Sequence, residues 1–142
     1  MTSNVRGFPW LGVLLLILGT AGCSSAPPAD QFKTISDGKK AQLTKFLESK
    51  QSRLSSYEAT VTEEPNVDKR GDHTHIGRIE FQYALTKPEG EFKAYTVSTA
   101  QTEYHFSTTE KKWVFIGCVL KGLEPKEGLL VTFPEVKAAF EK

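Results

Sequence analysis

Cysteine and histidine are scarce in this chain, with two cysteines at positions 23 and 118 and three histidines at 73, 75 and 105. Two cysteines allow one disulfide at most, and none within the molecule if either is otherwise used. C-x-x-C pairs, the H-E-x-x-H signature, a G-x-S-x-G elbow and a glycine-rich phosphate loop are all missing, so the common linear marks of metal, nucleophilic and nucleotide chemistry are missing with them. No cofactor is expected, and the enzyme reading is weakened without being removed. An excess of one charge is lacking too, because 18 basic side chains face 17 acidic ones. A balanced chain is not expected to bind nucleic acid, which calls for a basic face. Nor does any apolar run reach the roughly 20 residues that a spanning helix needs.

What is present begins at the N-terminus. Arg6 is the only charged residue before Asp30. An apolar run from Phe8 to Leu18 follows, broken by Pro9 and Gly12, and then the small residues Gly19, Thr20, Ala21 and Gly22 lead to Cys23. A positive start, a short apolar stretch and a small-residue zone are the three parts of a secretory signal. Thr20-Ala21-Gly22-Cys23 resembles the lipobox of bacterial lipoprotein precursors. The family usually has Leu where this chain has Thr20. The resemblance implies cleavage between Gly22 and Cys23 and diacylglycerol on the Cys23 thiol. It also implies that Ser24, where an Asp would favour inner-membrane retention, permits the outer membrane in a host that has one. Each buried CH₂ contributes about 0.8 kcal/mol, so two or three acyl chains hold firmly.

Cleavage leaves about 120 residues, one-domain length, and with Arg6 gone the charges balance. The expected organisation is a signal peptide over residues 1–22, a lipidated tether over 23–31 and one small domain over 32–142. The tether expectation rests on Ser24 to Asp30, where Pro27-Pro28 and small polar residues favour extended chain.

Helical spacing of Leu43, Phe46, Leu47 and Leu54 predicts an amphipathic helix from about Ser36 to Ser55, with Ser36 and Asp37 capping its start. From Tyr57 the period falls to two. Tyr57, Ala59 and Val61 form one alternating run, and Ile79, Phe81, Tyr83 and Leu85 form the clearest. The segment 67–71 reads as a loop and Lys87-Pro88-Glu89-Gly90 as a turn. A β-rich stretch over Glu91–Phe106 follows, with Tyr95, Val97 and Thr99 on one face and a bend near Ala100 or Gln101. After a turn at Thr108–Lys111, Lys112–Lys121 reads as a strand apolar on both faces. Strict alternation puts Val114, Ile116, Cys118 and Leu120 on one side and Trp113, Phe115 and Val119 on the other, so a central or doubly covered strand is expected. After the turn-rich 122–128, Leu129–Phe133 is a candidate edge strand. Pro134 suits the first turn of a closing helix to Lys142.

This order predicts an α+β domain: an N-terminal amphipathic helix on a curved antiparallel sheet of four to five strands, with a short C-terminal helix. By element order alone it is similar to the cystatin-like and NTF2-like folds, a resemblance that implies no functional residue.

The site candidates are few. On a regular strand His73 and His75 share a face and could reach one ion, but zinc needs three or four protein ligands. Only the fold could bring Asp68, Asp72 or His105 to them. Cys118 sits among apolar residues, where burial raises a thiol pKa. It reads as a small core residue, with a Cys118–His105 pair the functional alternative. Tyr83, Tyr95, Tyr104, Phe106, Trp113 and Phe115 read as core or as a cavity lining. The carboxylates Glu63-Glu64 and Glu124/Glu127 fall in solvated turns. The expected function is a membrane-anchored envelope module, held by lipid on Cys23, that binds a protein or small ligand without catalysis. The alternative is an NTF2-like binder or enzyme with a cavity between helix and sheet.

Overall fold

The computed structural model describes residues 26–64, 72–85, 97–122 and 131–142. Helix α1 covers Pro28–Ser49, strands β1 to β4 cover Ser52–Glu63, His73–Leu85, Val97–Ser107 and Lys112–Lys121, and helix α2 covers Phe133–Glu141. The strands form one antiparallel meander in the order β1-β2-β3-β4. Helix α1 lies on one face of this sheet, and α2 packs against α1. The domain is therefore α+β, as the element order predicts. No helix among the described residues is long and apolar enough to cross a membrane.

Helix α1 starts eight residues before the expected Ser36. Pro28 sits in the first turn, where its missing N–H costs no hydrogen bond, and the Pro27 carbonyl accepts from the N–H groups of Asp30 and Gln31. Of the expected tether, residues 28 to 31 are thus helical, and residues 23–25 lie outside the described set. The two expected caps have other work. Ser36 is buried in mid-helix, where its hydroxyl and carbonyl meet the Tyr57 hydroxyl. Asp37 pairs one turn back with Lys33. The buried stripe is Phe32, Ser36, Leu43 and Leu47. Gln51, at φ 53°, turns the chain, so Leu54 falls in β1 and not on the helix.

The core side of the sheet follows from the register. Gly77, Ile79, Phe81 and Tyr83 of β2 stand opposite Tyr104, Thr102, Ala100 and Ser98 of β3, and Ile79, Phe81, Tyr83, Ala100 and Thr102 are fully buried. Phe32 enters from α1 and lies over Gly77, 5.5 Å from the Tyr104 ring and 4.8 Å from Trp113. The Trp113 indole N–H donates to the Pro28 carbonyl at 2.9 Å, which pins the start of α1 to the β3–β4 end of the sheet. Helix α2 closes the other end. Its Phe140 stacks on Phe81 at 5.6 Å, and its capping box joins Thr132 to Glu135. Lys39 and Gln42 of α1 donate to the Phe140 and Ala139 carbonyls, supplying partners for carbonyls that a helix end leaves free.

Strand β4 departs from the expected facing. It is an edge strand, and the register slips between Glu103 and Tyr104. Tyr104 pairs with Phe115 but Glu103 pairs with Gly117, so Ile116 is the extra residue of a bulge. A bulge resets the alternation. Trp113 and Cys118 are therefore both buried on the core side, while Ile116 is 50% and Val119 59% exposed. Strict alternation had put Trp113 and Cys118 on opposite faces. Strand β3 runs through Ala100 and Gln101 without a break in pairing, so the expected bend is absent there. In the candidate fifth strand, Val131 is buried and Phe133 already belongs to α2. Tyr95, the 87–90 turn and residues 67–71 lie outside the described residues.

Candidate functional site

The two histidines that the sequence places together are separated by the fold. Strand β2 pairs His73 with Ser107 and His75 with Phe106, so the register slips by one residue at Thr74. The His75 ring lies 6.0 Å from Phe106 and 6.4 Å from Trp113, toward the core. The His73 ring instead meets His105, at 5.4 Å, on the outer side of the sheet. The bulge thus turns an i, i+2 pair onto different neighbours. Among the described residues no three His, Cys, Asp or Glu side chains converge to hold a metal ion. Asp68 lies outside them.

Asp72 binds protein groups. One carboxylate oxygen accepts from the Thr109 hydroxyl at 2.6 Å, the Thr109 N–H at 3.0 Å and the Thr108 hydroxyl at 3.1 Å, and the other accepts from the Ser107 hydroxyl at 3.1 Å. The Thr109 hydroxyl and N–H, helped by Ser107 and Thr108, hold the Asp72 pKa down at about 2. The carboxylate ties the start of β2 to the β3–β4 turn.

Cys118 is buried, and that burial pushes its thiol pKa up to about 11. A thiol at that value carries almost no thiolate near neutrality. Its strand partner is Thr102, whereas His105 stands opposite Val114, so no Cys118–His105 pair forms. The aromatic residues fill the space between helix and sheet. Tyr104 packs edge-on against Phe115 at 5.2 Å, Phe106 against Trp113 at 5.4 Å, and Phe32, Leu43, Leu47, Phe81 and Phe140 complete the cluster. Burial raises the Tyr104 pKa. The Ser98 hydroxyl is buried without a partner among the described residues. Glu63 and Glu64 are exposed, and Glu124 and Glu127 lie outside the described residues.

The side of the sheet away from α1 carries the open chemistry. Glu103 accepts from Arg78 at 3.1 Å and lies 2.8 Å from the His105 ring. Burial works against its charge, but the hydrogen bonds from His105 and Arg78 win and the Glu103 pKa falls. Glu80 pairs with Lys121 at 3.0 Å and stands directly opposite Glu58 in the ladder. A shallow cleft of about 250 Å³ is lined by Glu58, Thr60, Arg78, Glu80 and Gln101. Beside this polar field the β4 bulge exposes Ile116 and Val119. A second cleft, of about 320 Å³, opens between α1 and α2 and is lined by Gln42, Phe46, Glu135, Ala138, Ala139 and Lys142. Arg78 and Glu80 alternate in the sequence with Ile79 and Phe81, but their partners Glu103 and Lys121 are not legible there. Those pairs join residues 25 and 41 positions apart, and only strand register brings them together.

Paired charges, amide and hydroxyl groups and a small apolar rim can make hydrogen bonds and exclude water. Comparison with protein families, with characterised proteins and with solved structures returns no match.

Proposed function

We propose that the chain is the precursor of an exported lipoprotein whose mature domain is a non-enzymatic interaction module, held to the cell membrane by lipid on Cys23. The observation that carries this reading is the order of Arg6, the apolar run to Leu18 and Thr20-Ala21-Gly22-Cys23. A charge-poor, apolar leader ending in small residues is what export machinery takes, and the cysteine supplies the acceptor for the lipid. Ser24 permits the outer membrane in a host that has one.

The domain supports a binding role in two ways. The space between α1 and the sheet is occupied by Phe32, Leu43, Leu47, Phe81 and Phe140, which weighs against a ligand cavity of the NTF2-like kind. The outer sheet face offers balanced charge next to exposed Ile116 and Val119, a mixture suited to a protein partner in the envelope. Radiolabelled palmitate fed to expressing cells tests the anchor. Label should enter the wild type and be lost in Cys23→Ser. Equal label in both, or none in the wild type, rejects the reading.

A further inference from the structure

If the lipid sits on Cys23, the fold decides which end of the domain meets the membrane. Five peptide steps separate Cys23 from Pro28, the first residue of α1. Fully extended, they span at most about 17 Å. Helix α1 has 22 residues and is therefore about 33 Å long. The leash is thus about half the length of the body it holds.

The leash cannot easily be lengthened by unwinding α1. Each residue unwound would add only about 2 Å. Unwinding the first turn would break the bond from Trp113 to the Pro28 carbonyl, and one residue more would begin to pull Phe32 from its seat against Gly77, Tyr104 and Trp113. Since β1 runs back along α1 and the strands are antiparallel, one end of the molecule collects Pro28, the end of β1, Asp72 at the start of β2, and the Thr108–Lys111 turn. The other end collects Ser49, the start of β1 and the beginning of α2, where Lys50 meets Glu135 at 3.3 Å.

We infer that the Asp72 and Thr108–Lys111 end faces the bilayer, and that the α1–α2 end around Phe46 and Ala138 is held away from it; this orientation rests on the lipoprotein reading. Among the described residues at this end, Asp30, Glu63, Glu64 and Asp72 are acidic, Lys33 is paired with Asp37 and Lys112 with Glu110, and Lys111 is exposed. Anionic headgroups repel carboxylates over about 8 Å at physiological salt, so leash length is the feature that sets the position.

The experiment uses the full lipidated chain in vesicles of phosphatidylcholine and phosphatidylglycerol that carry a nitroxide on a fraction of headgroups. A fluorophore is placed on Glu110→Cys or on Glu48→Cys, both exposed sites, while buried Cys118 stays unlabelled. Quenching should be several-fold stronger at position 110 than at 48. Inserting a long Gly-Ser segment between Ala26 and Pro27 should bring the two to equality. Equal quenching with the natural leash, or stronger quenching at 48, overturns the orientation, and a difference that survives the insertion overturns the leash as its cause. The same vesicles are floated with palmitate-labelled protein. Chain that neither carries label nor floats removes the lipoprotein reading, whereas labelled, floating chain with equal quenching removes the orientation alone.

Discussion

Phe32 and Gly77 show how closely one contact can set a fold. A β-carbon added at Gly77 would fall inside the van der Waals surface of the Phe32 ring. The ring has no free direction, because Tyr104 and Trp113 flank it. Glycine is required here for close approach. Overpacking of this kind costs about 1–3 kcal/mol, so Gly77→Ala should lower the urea midpoint by a corresponding amount. In a Phe32→Leu background the same change should cost clearly less, since contacting residues couple. An equal cost in both backgrounds would show that the ring is not what glycine accommodates. Cys118 illustrates the opposite case at this scale. The sequence reads it as a small apolar core residue, and its burial and raised pKa agree.

Among the elements, β2 and the β3–β4 hairpin are joined by Asp72. Its pKa of about 2 lies below the ordinary 3.8 because Thr109, Ser107 and Thr108 donate to the carboxylate. The native state therefore keeps the charge at a pH where the unfolded chain has already taken up a proton. The stabilisation is present above the unfolded pKa and is lost as pH falls through the folded one. Urea midpoints measured from about pH 5 down to about pH 2 should fall more steeply in the wild type than in Asp72→Asn. Parallel curves would mean that the carboxylate adds nothing over an amide. Two of the sheet's register slips explain where sequence reasoning misplaced side chains. The slip at Thr74 divides His73 from His75, and the one at Ile116 puts Trp113 and Cys118 on one face. Alternation is read with a period of two, and one inserted residue inverts every position beyond it.

For the whole molecule, the short C-terminal segment has an influence beyond its length. Val131, Val136 and Phe140 are essentially fully buried. Burying side chains of this size contributes about 1.5–3 kcal/mol each, and their sum is comparable with the roughly 5–15 kcal/mol that holds a whole domain. Truncation before Val131 should abolish cooperative unfolding and leave a chain that binds the dye ANS, as scanning calorimetry and fluorescence would report. A sharp transition near the wild-type temperature would make α2 an appendage. The burial of these residues also explains why one helix on the sheet is insufficient. Helix α1 covers Gly77 and Tyr104 through Phe32, and Phe81 is covered by Phe140 from α2.

Local order determined much of this protein. The alternation of Ile79, Phe81 and Tyr83, the turn at Thr108–Lys111 and the closing helix around Pro134 are legible because each depends on neighbours within a few residues. The proposed leader and its Cys23 are likewise read from linear order alone. The helix start was not legible. Phe32 lies about three turns before Leu43, but its value lies in Gly77 and Trp113, which are 45 and 81 positions away. The same holds for the Arg78–Glu103 and Glu80–Lys121 pairs and for the parting of His73 from His75. Which side chains meet across a sheet depends on register, register depends on bulges, and a bulge leaves no periodic mark in the chain. The sequence by itself thus determined the order of the elements, and the proposed anchor rests on it alone. The tertiary structure alone decided which faces are buried, which charges are paired and where the open surface lies.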